Sequence, residues 1–460
     1  MCPKRSLLPF ATLLVAAAVV ACGEGAPPDR GELTAPPSRP AASTTPLPRV
    51  VRELAATRGV VPLRQPPVVR PALVRLGQAL AFDKVLSGNK DIACTTCHLP
   101  AFATGDGRSL SIGEGATGLG PARVHPNGTF IPRNAPPLFN LAAMRHLFWD
   151  GRVQLDARGE VTTPAGAQLT PAMQRVFEFG PVSALAMFPV TSRIEMRSGS
   201  GNELAAIADD DFQGIWAALM QRLGAIGEYR GLFQAAYPGT KFEDMTFAHA
   251  SNAIGGFLVS TYSFTDTPWD RFLAGSDRAL TMRQLEGAQT FLTLKCSECH
   301  TGATFSDEEF HNVAVAQLGP GAGNGVDGRD DFGRMNVTGL EEDRYRFRTT
   351  PLRNVELTGP YGHDGAVGSL RAFVEHYSES DAKLLAFDPT ALEAPLRLSV
   401  LANAADILQR RDTLLDGVVL SPELVDKLMD YMSALTDDAA RDLSRSVPVR
   451  VPSRLPVDRP

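Results

Sequence analysis

Cys94-Thr95-Thr96-Cys97-His98 and Cys296-Ser297-Glu298-Cys299-His300 are the two stretches whose residue types and spacing could do chemistry. Two cysteines three positions apart can form thioethers to both vinyl groups of a haem, and the histidine that follows places an imidazole under the iron. A redox dithiol needs no histidine and sits near a βαβ pattern, whereas a four-cysteine zinc site would draw on the same sulfurs. Two complete, widely separated copies favour two covalently bound haem c groups, held by Cys94, Cys97, Cys296 and Cys299, with His98 and His300 as iron ligands. Of the six cysteines, only Cys2 and Cys22 lie elsewhere, both in the leader, so none is left for a disulfide.

Helical periodicity dominates the elements that must carry these motifs. Apolar residues recur at helical spacing over residues 72–82, 212–236, 246–262, 281–294 and 422–435, and alternating strand patterns are scarce. Thr281 and Ser421-Pro422 are helix-start signals. The fold class is therefore mainly α, with long loops over 105–132, rich in glycine, and over 319–333, which carries Asp327, Asp330 and Asp331. Leu76 to Phe82 before the first motif resembles Leu285 to Phe291 before the second, which predicts two related cytochrome c-like domains. The divisions expected are 50–275 for the first haem domain, 276–445 for the second, and a tail over 446–460.

Composition removes other classes. At 44% hydrophobic and 21% charged the chain is an ordinary globular mix, and its net charge of −6 is spread without a basic stripe, which excludes the footprint of a nucleic-acid binder. Lys4 and Arg5 followed by the apolar run Leu7–Ala21 read as an export signal over residues 1–22. Val19-Val20-Ala21-Cys22 resembles a lipoprotein cleavage site, so a lipid on Cys22 would anchor a periplasmic protein to a membrane. Gly23 stands where an aspartate would retain it at the inner membrane, so the outer membrane is favoured. Residues 23–49, rich in Pro and Ala, lack the apolar content to fold alone and read as a linker.

Beyond the two haem motifs, an ordered set of motifs runs through residues 70–435: Leu86-Ser87-Gly88, Arg133-Asn134-Ala135-Pro136, Phe148-Trp149-Asp150-Gly151-Arg152, Glu195-Met196, Val337-Thr338-Gly339, Pro351 to Thr358, and Pro360-Tyr361-Gly362-His363-Asp364-Gly365. By this set the chain resembles the bacterial di-haem cytochrome c peroxidases and the related MauG group, with an apparent insertion around 154–174. The resemblance implies that the haem above His98 meets hydrogen peroxide while the haem above His300 receives electrons. It implies Glu195 as the acid–base group over the reactive iron and Trp149 as the bridge between the haems. It also implies a calcium ion on Asn134, Thr358 and Pro360, with His363 supporting haem propionates or the calcium waters. Counting from Thr358, the second axial ligand of the second haem falls on Tyr377, with adjacent His376 as the competing choice.

Three positions depart from the family pattern. Leu185 stands at the place of a distal glutamine, although Pro189 is retained. Glu114 stands where many members carry a histidine that blocks the reactive iron at rest, with His125 farther along the loop as a substitute blocker. Leu294 stands where MauG-type chains use a surface tryptophan. The reading is a peroxidase reducing hydrogen peroxide with electrons from a small c-type cytochrome or cupredoxin, its reactive haem open without prior reduction. MauG-like oxidation of a protein substrate is the first alternative and a non-enzymatic di-haem electron-transfer cytochrome the second. The resemblance leaves a homodimer open.

Overall fold

Proline at the first helical turn starts the Pro71–Phe82 helix, where a missing N–H costs nothing. The Met282–Thr293 helix opens on a reciprocal cap: Gln284 N–H donates to the Thr281 hydroxyl at 3.2 Å, and Thr281 N–H donates to Gln284 Oε1 at 2.9 Å. Ser421 caps the Pro422–Ser433 helix by accepting from Leu424 N–H. In this computed structural model residues 46–459 are described; the leader, Cys2, Cys22 and nearly all of the 23–49 linker lie outside the described residues. Among the described residues no helix is long and apolar enough to cross a membrane.

The two haem motifs sit on matched scaffolds. The Pro71–Phe82 helix crosses the Phe247–Thr261 helix, and the Met282–Thr293 helix crosses the Pro422–Ser433 helix. At each crossing a glycine allows backbone contact. A Cβ on Gly77 would lie 1.9 Å from the Ala253 carbonyl oxygen, and one on Gly287 would lie 2.0 Å from that of Lys427. Each motif forms one helical turn, Cys94–Cys97 and Cys296–Cys299.

One periodic stretch divides where a single helix is expected. Residues 212–236 form two helices, Phe212–Gly224 and Gly227–Ala236, with Ile226 in extended conformation between them. Two poor helix formers, Gly224 and Gly227, flank the break. The change of direction brings Tyr229 beneath the first scaffold, where its hydroxyl donates to Asp83 at 2.8 Å. Strand is confined to short pieces. β1 (His146–Leu147), β2 (Val153–Leu155) and β3 (Val161–Thr162) form an antiparallel sheet in that order, which places the start of the apparent insertion in β2 and β3. β4 (Phe310–His311) pairs antiparallel with β5 (Phe347–Arg348).

The hydrophobic cores do not follow a sequential cut of the chain. The first gathers Leu76, Leu80, Trp216, Ile254 and Phe257 but also takes Leu443 and Val451 from the far end. The second gathers Leu285, Phe291, Phe305 and Tyr431, takes Val51 and Ala55 from the Leu47–Thr57 helix, and takes Trp269 and Phe272 from before the expected boundary at 275/276. Polar contacts fasten the C-terminal segment to the first motif. Asp458 accepts from the Thr96 hydroxyl and pairs with Lys84 at 2.6 Å, while the Ser453 hydroxyl donates to Asp83 at 2.6 Å.

Candidate active site

A continuous cavity joins the two motifs, lined by Cys94, Cys97 and His98 from one half and Cys296, Cys299 and His300 from the other. Its empty space, open mouths included, is about 3220 Å³, against roughly 1,000 Å³ at the upper end for a site holding one small ligand. All four cysteines are free. Burial pushes the thiols of Cys94 and Cys296 up to about 11 and that of Cys97 higher still. Such a pocket favours uncharged sulfur, and a thioether is uncharged. The residues therefore fit two covalently attached haem groups.

Both histidines are oriented in the same way. His98 Nδ1 donates to the Thr104 carbonyl at 2.8 Å and His300 Nδ1 donates to the Phe305 carbonyl at 3.0 Å. Because a carbonyl can only accept, the proton sits on Nδ1 and the lone pair on Nε2, the state an iron ligand requires. Burial lowers both pKa values, which keeps the rings neutral.

The two halves differ beyond the histidines. On the first side Glu195 lines the cavity from a single turn of π-helix, Arg193–Arg197, together with Leu185 and Pro189. Burial raises its carboxyl above the ordinary value, against the opposing pull of Arg152, the Ser192 hydroxyl and Arg133. The loop after the first motif is bonded to this turn through Glu114 N–H to the Glu195 carbonyl at 3.0 Å. The Glu114 carboxylate itself accepts from Asn89, and His125 Nδ1 accepts from Asn127 N–H at 3.1 Å. Neither side chain lines the cavity.

On the second side Tyr377 lines the cavity, following the Leu370–His376 helix and packed edge-on against Phe373 at 5.5 Å. Burial, with Cys299 and Cys296 nearby, raises its phenol well above the ordinary value. The neighbouring His376 is turned away, its Nε2 donating to the Val313 carbonyl at 2.7 Å.

Between the halves, Trp149 is buried and its indole N–H donates to the Asn134 carbonyl at 2.9 Å. Asn134 Nδ2 donates to the Arg108 carbonyl at 2.8 Å, and Asn134, Thr358 and Pro360 all line the cavity. Arg133 bridges Asp150 and Asp331 at 2.6 Å each. His363 stacks on Phe347 with ring centres 3.7 Å apart. Burial pushes its imidazole down to about 4, so it is neutral at pH 7 and a poor counter-charge for a propionate.

Sequence reasoning missed His311, which lines the cavity between Asp412 at 2.6 Å and Asp307 at 3.1 Å. Burial alone would lower its pKa, but hydrogen bonds to Asp307, Cys299 and Asp412 hold it up at about 11. No signal near residue 311 pointed to it, since one of its partners lies a hundred residues away. The carbonyls of Thr104 and Phe305 were equally invisible, being backbone groups.

Comparison with known proteins places the chain among di-haem peroxidases. The family model described as di-haem cytochrome c peroxidase matches residues 71–278. The methylamine utilization protein MauG of Methylorubrum extorquens is 29% identical over 314 residues, covering 68% of this chain and 70% of that one. The cytochrome c551 peroxidase of Pseudomonas aeruginosa is 29% identical over 296 residues, covering 64% and 68%. The cytochrome c peroxidase Ccp of Escherichia coli is 31% identical over 303 residues, covering 66% of this chain and 52% of that one. Among solved structures, a MauG-like protein associated with microbial copper homeostasis superposes with a TM-score of 0.57 at 23% identity, covering 82% and 95% of the two chains. The di-haem peroxidase BthA of Burkholderia thailandensis gives 0.54 at 19% identity, covering 85% and 91%. At these identities the two structures speak for a shared fold.

Proposed function

We propose that this chain, an oxidoreductase of the di-haem cytochrome c peroxidase family carrying two haem c groups, reduces hydrogen peroxide to water at the half that holds His98, with electrons delivered through the half that holds His300. The observation that carries this reading is the asymmetry of the shared cavity: two identically oriented histidines, with Glu195 in electrostatic reach of Cys97 in the first motif and Tyr377 in reach of Cys296 and Cys299 in the second. Cys94 and Cys97 would hold the first haem, with His98 as its iron ligand. Cys296 and Cys299 would hold the second, with His300 and Tyr377 on its iron. When bound, the haem pair supplies an iron position for peroxide and a store for electrons.

Glu195 is then the group that moves the proton. Its carboxylate oxygen would accept a proton from one oxygen of the peroxide and return it to the other, so that the O–O bond breaks and the doubly protonated oxygen leaves as water. The raised proton affinity that burial gives this carboxyl makes it the stronger base. Leu185 and Pro189 limit the polar groups that could compete with it. With two electrons and two further protons the balance is two waters per peroxide. Trp149, fixed by its bond to the Asn134 carbonyl, is the aromatic link for electrons between the halves.

Several finer assignments belong to the same proposal. Glu114 and His125 both stay out of the cavity, which supports a first haem open at rest. One Ca²⁺ would be held by Asn134 Oδ1 and the carbonyls of Thr358 and Pro360, completed by water, an all-oxygen set suited to that ion. Among the described residues neither of those two carbonyls accepts a protein hydrogen bond. The donor would be a small c-type cytochrome or cupredoxin, and the mature protein a periplasmic one anchored through lipid on Cys22. Tyr377 in the cavity also favours a second reading, MauG-like oxidation of a protein substrate with the same machinery.

Stopped-flow spectroscopy of the oxidised holoprotein with a slight excess of hydrogen peroxide tests the central reading. Reaction without prior reduction, followed by turnover when reduced donor is supplied, is expected. No reaction in either oxidised or half-reduced protein would overturn peroxidase function, and a resting spectrum showing only six-coordinate low-spin haem would overturn the open site.

A further inference from the structure

Most buried arginines of this protein face a carboxylate. Arg133 has Asp150 and Asp331, Arg353 has Asp270, Arg197 has Asp209 and Arg108 has Glu393, while Arg123, away from the cavity, uses all three guanidinium nitrogens on the carbonyls of Ile112, Gly118 and Gly113. Arg348, on β5, is buried at 7% exposure and lines the cavity between the two motifs, yet among the described residues it has no carboxylate within salt-bridge distance. Its protein partners are two backbone carbonyls, of Phe148 at 3.3 Å from Nε and of Thr349 at 3.1 Å from Nη1. The acid whose field it feels is Glu308, and that carboxylate is already taken by the backbone N–H groups of Arg145 and His146.

A guanidinium out of water without an anion is costly, and burial duly pushes Arg348 down to about 10. Its place is fixed from both sides, by β-pairing with β4 and by Arg348 N–H donating to the Trp149 carbonyl at 2.9 Å. The cavity it lines is the one the two haems fill, and each haem brings two carboxylates. His363, the other candidate counter-charge, is neutral there. We propose that Arg348 is the counter-ion of a haem propionate, binding the carboxylate through its cavity-facing guanidinium edge and holding it ionised. This assignment rests on the di-haem reading above.

The consequence is electrical. A fixed cation beside a propionate favours the reduced iron, so removing it lowers the midpoint potential of the haem concerned. The test is potentiometry and resonance Raman spectroscopy of the holoprotein carrying Arg348→Met or Arg348→Lys. With Arg348→Met, one haem should lose about tenfold in its reduction equilibrium, about 59 mV for a one-electron couple, and its propionate bending band should move. Arg348→Lys should restore most of the potential and part of the band. Two haems per chain with unchanged potentials and bands in both variants would overturn the assignment while leaving the di-haem reading intact. A rise in thermal midpoint of Arg348→Met would overturn it as well, because removing an unpaired buried charge stabilises, whereas removing a paired one strands its partner. A parent protein with no haem at all would overturn both the assignment and the reading beneath it.

Discussion

The two halves of this molecule hold their histidines alike and differ in what stands across the cavity. In each, a helix crossing closed by a glycine supports a one-turn cysteine helix, and a backbone carbonyl five or six residues on receives Nδ1 of the histidine. Glu195, Leu185 and Pro189 line the cavity on the first side; a phenol lines it on the second. The shared frame shows that fixing a ligand takes only local backbone. On the proposed assignment the division of labour is written in segments remote from both motifs, the π-turn at 193–197 and the end of the 370–376 helix.

Breaking the acid–base side should have the largest effect. Glu195→Gln should lower kcat/KM for peroxide by ~10²–10⁴-fold, with the resting haem spectrum retained; an activity within a few-fold of the parent would move the proton shuttle to another group. The common frame comes next. Gly77→Ala and Gly287→Ala each force a Cβ into a carbonyl, so each should cost about 1–3 kcal/mol of stability, read as similar falls in thermal midpoint. A large fall in one variant alone would show that the scaffolds are not equivalent.

Removing the phenol sharpens the contrast from the other side. Tyr377→Phe should change the low-spin spectrum of one haem and raise its potential, since a phenolate stabilises the oxidised iron, by a tenfold or greater change in equilibrium, ~59 mV. An unaltered spectrum would remove Tyr377 from the iron. The smallest effect is the acid limb of the pH profile. Glu195 must be ionised to accept the first proton, and burial raises its pKa, so kcat/KM should fall as pH drops through a value above the usual glutamate range of about 4.3. A limb at or below that value would contradict a buried base.

How much of this could be read from residues alone depended on range. The cysteine–histidine motifs are contiguous and the helices at 71–82, 282–293 and 422–433 are periodic, so both were legible. The break between Gly224 and Gly227 was less legible, because apolar spacing continues across it and glycine lowers helix propensity without fixing where a helix ends. His311 has one partner close by, Asp307, but its place in the cavity depends also on Asp412 a hundred residues on, and Arg348 is set apart by lacking a carboxylate, so neither could be read locally. The division of the cores was hidden for the same reason: Val51 belongs with Tyr431, and Val451 with Leu80.

That exchange of ends ties the two halves into one unit. Asp458 accepts from Thr96, between the two cysteines of the first motif, and Ser453 donates to Asp83 beside it, while Val51 is buried with Tyr431 in the other core. Neither core is completed by its own stretch of chain, so the two should lose their structure in one cooperative step rather than in succession.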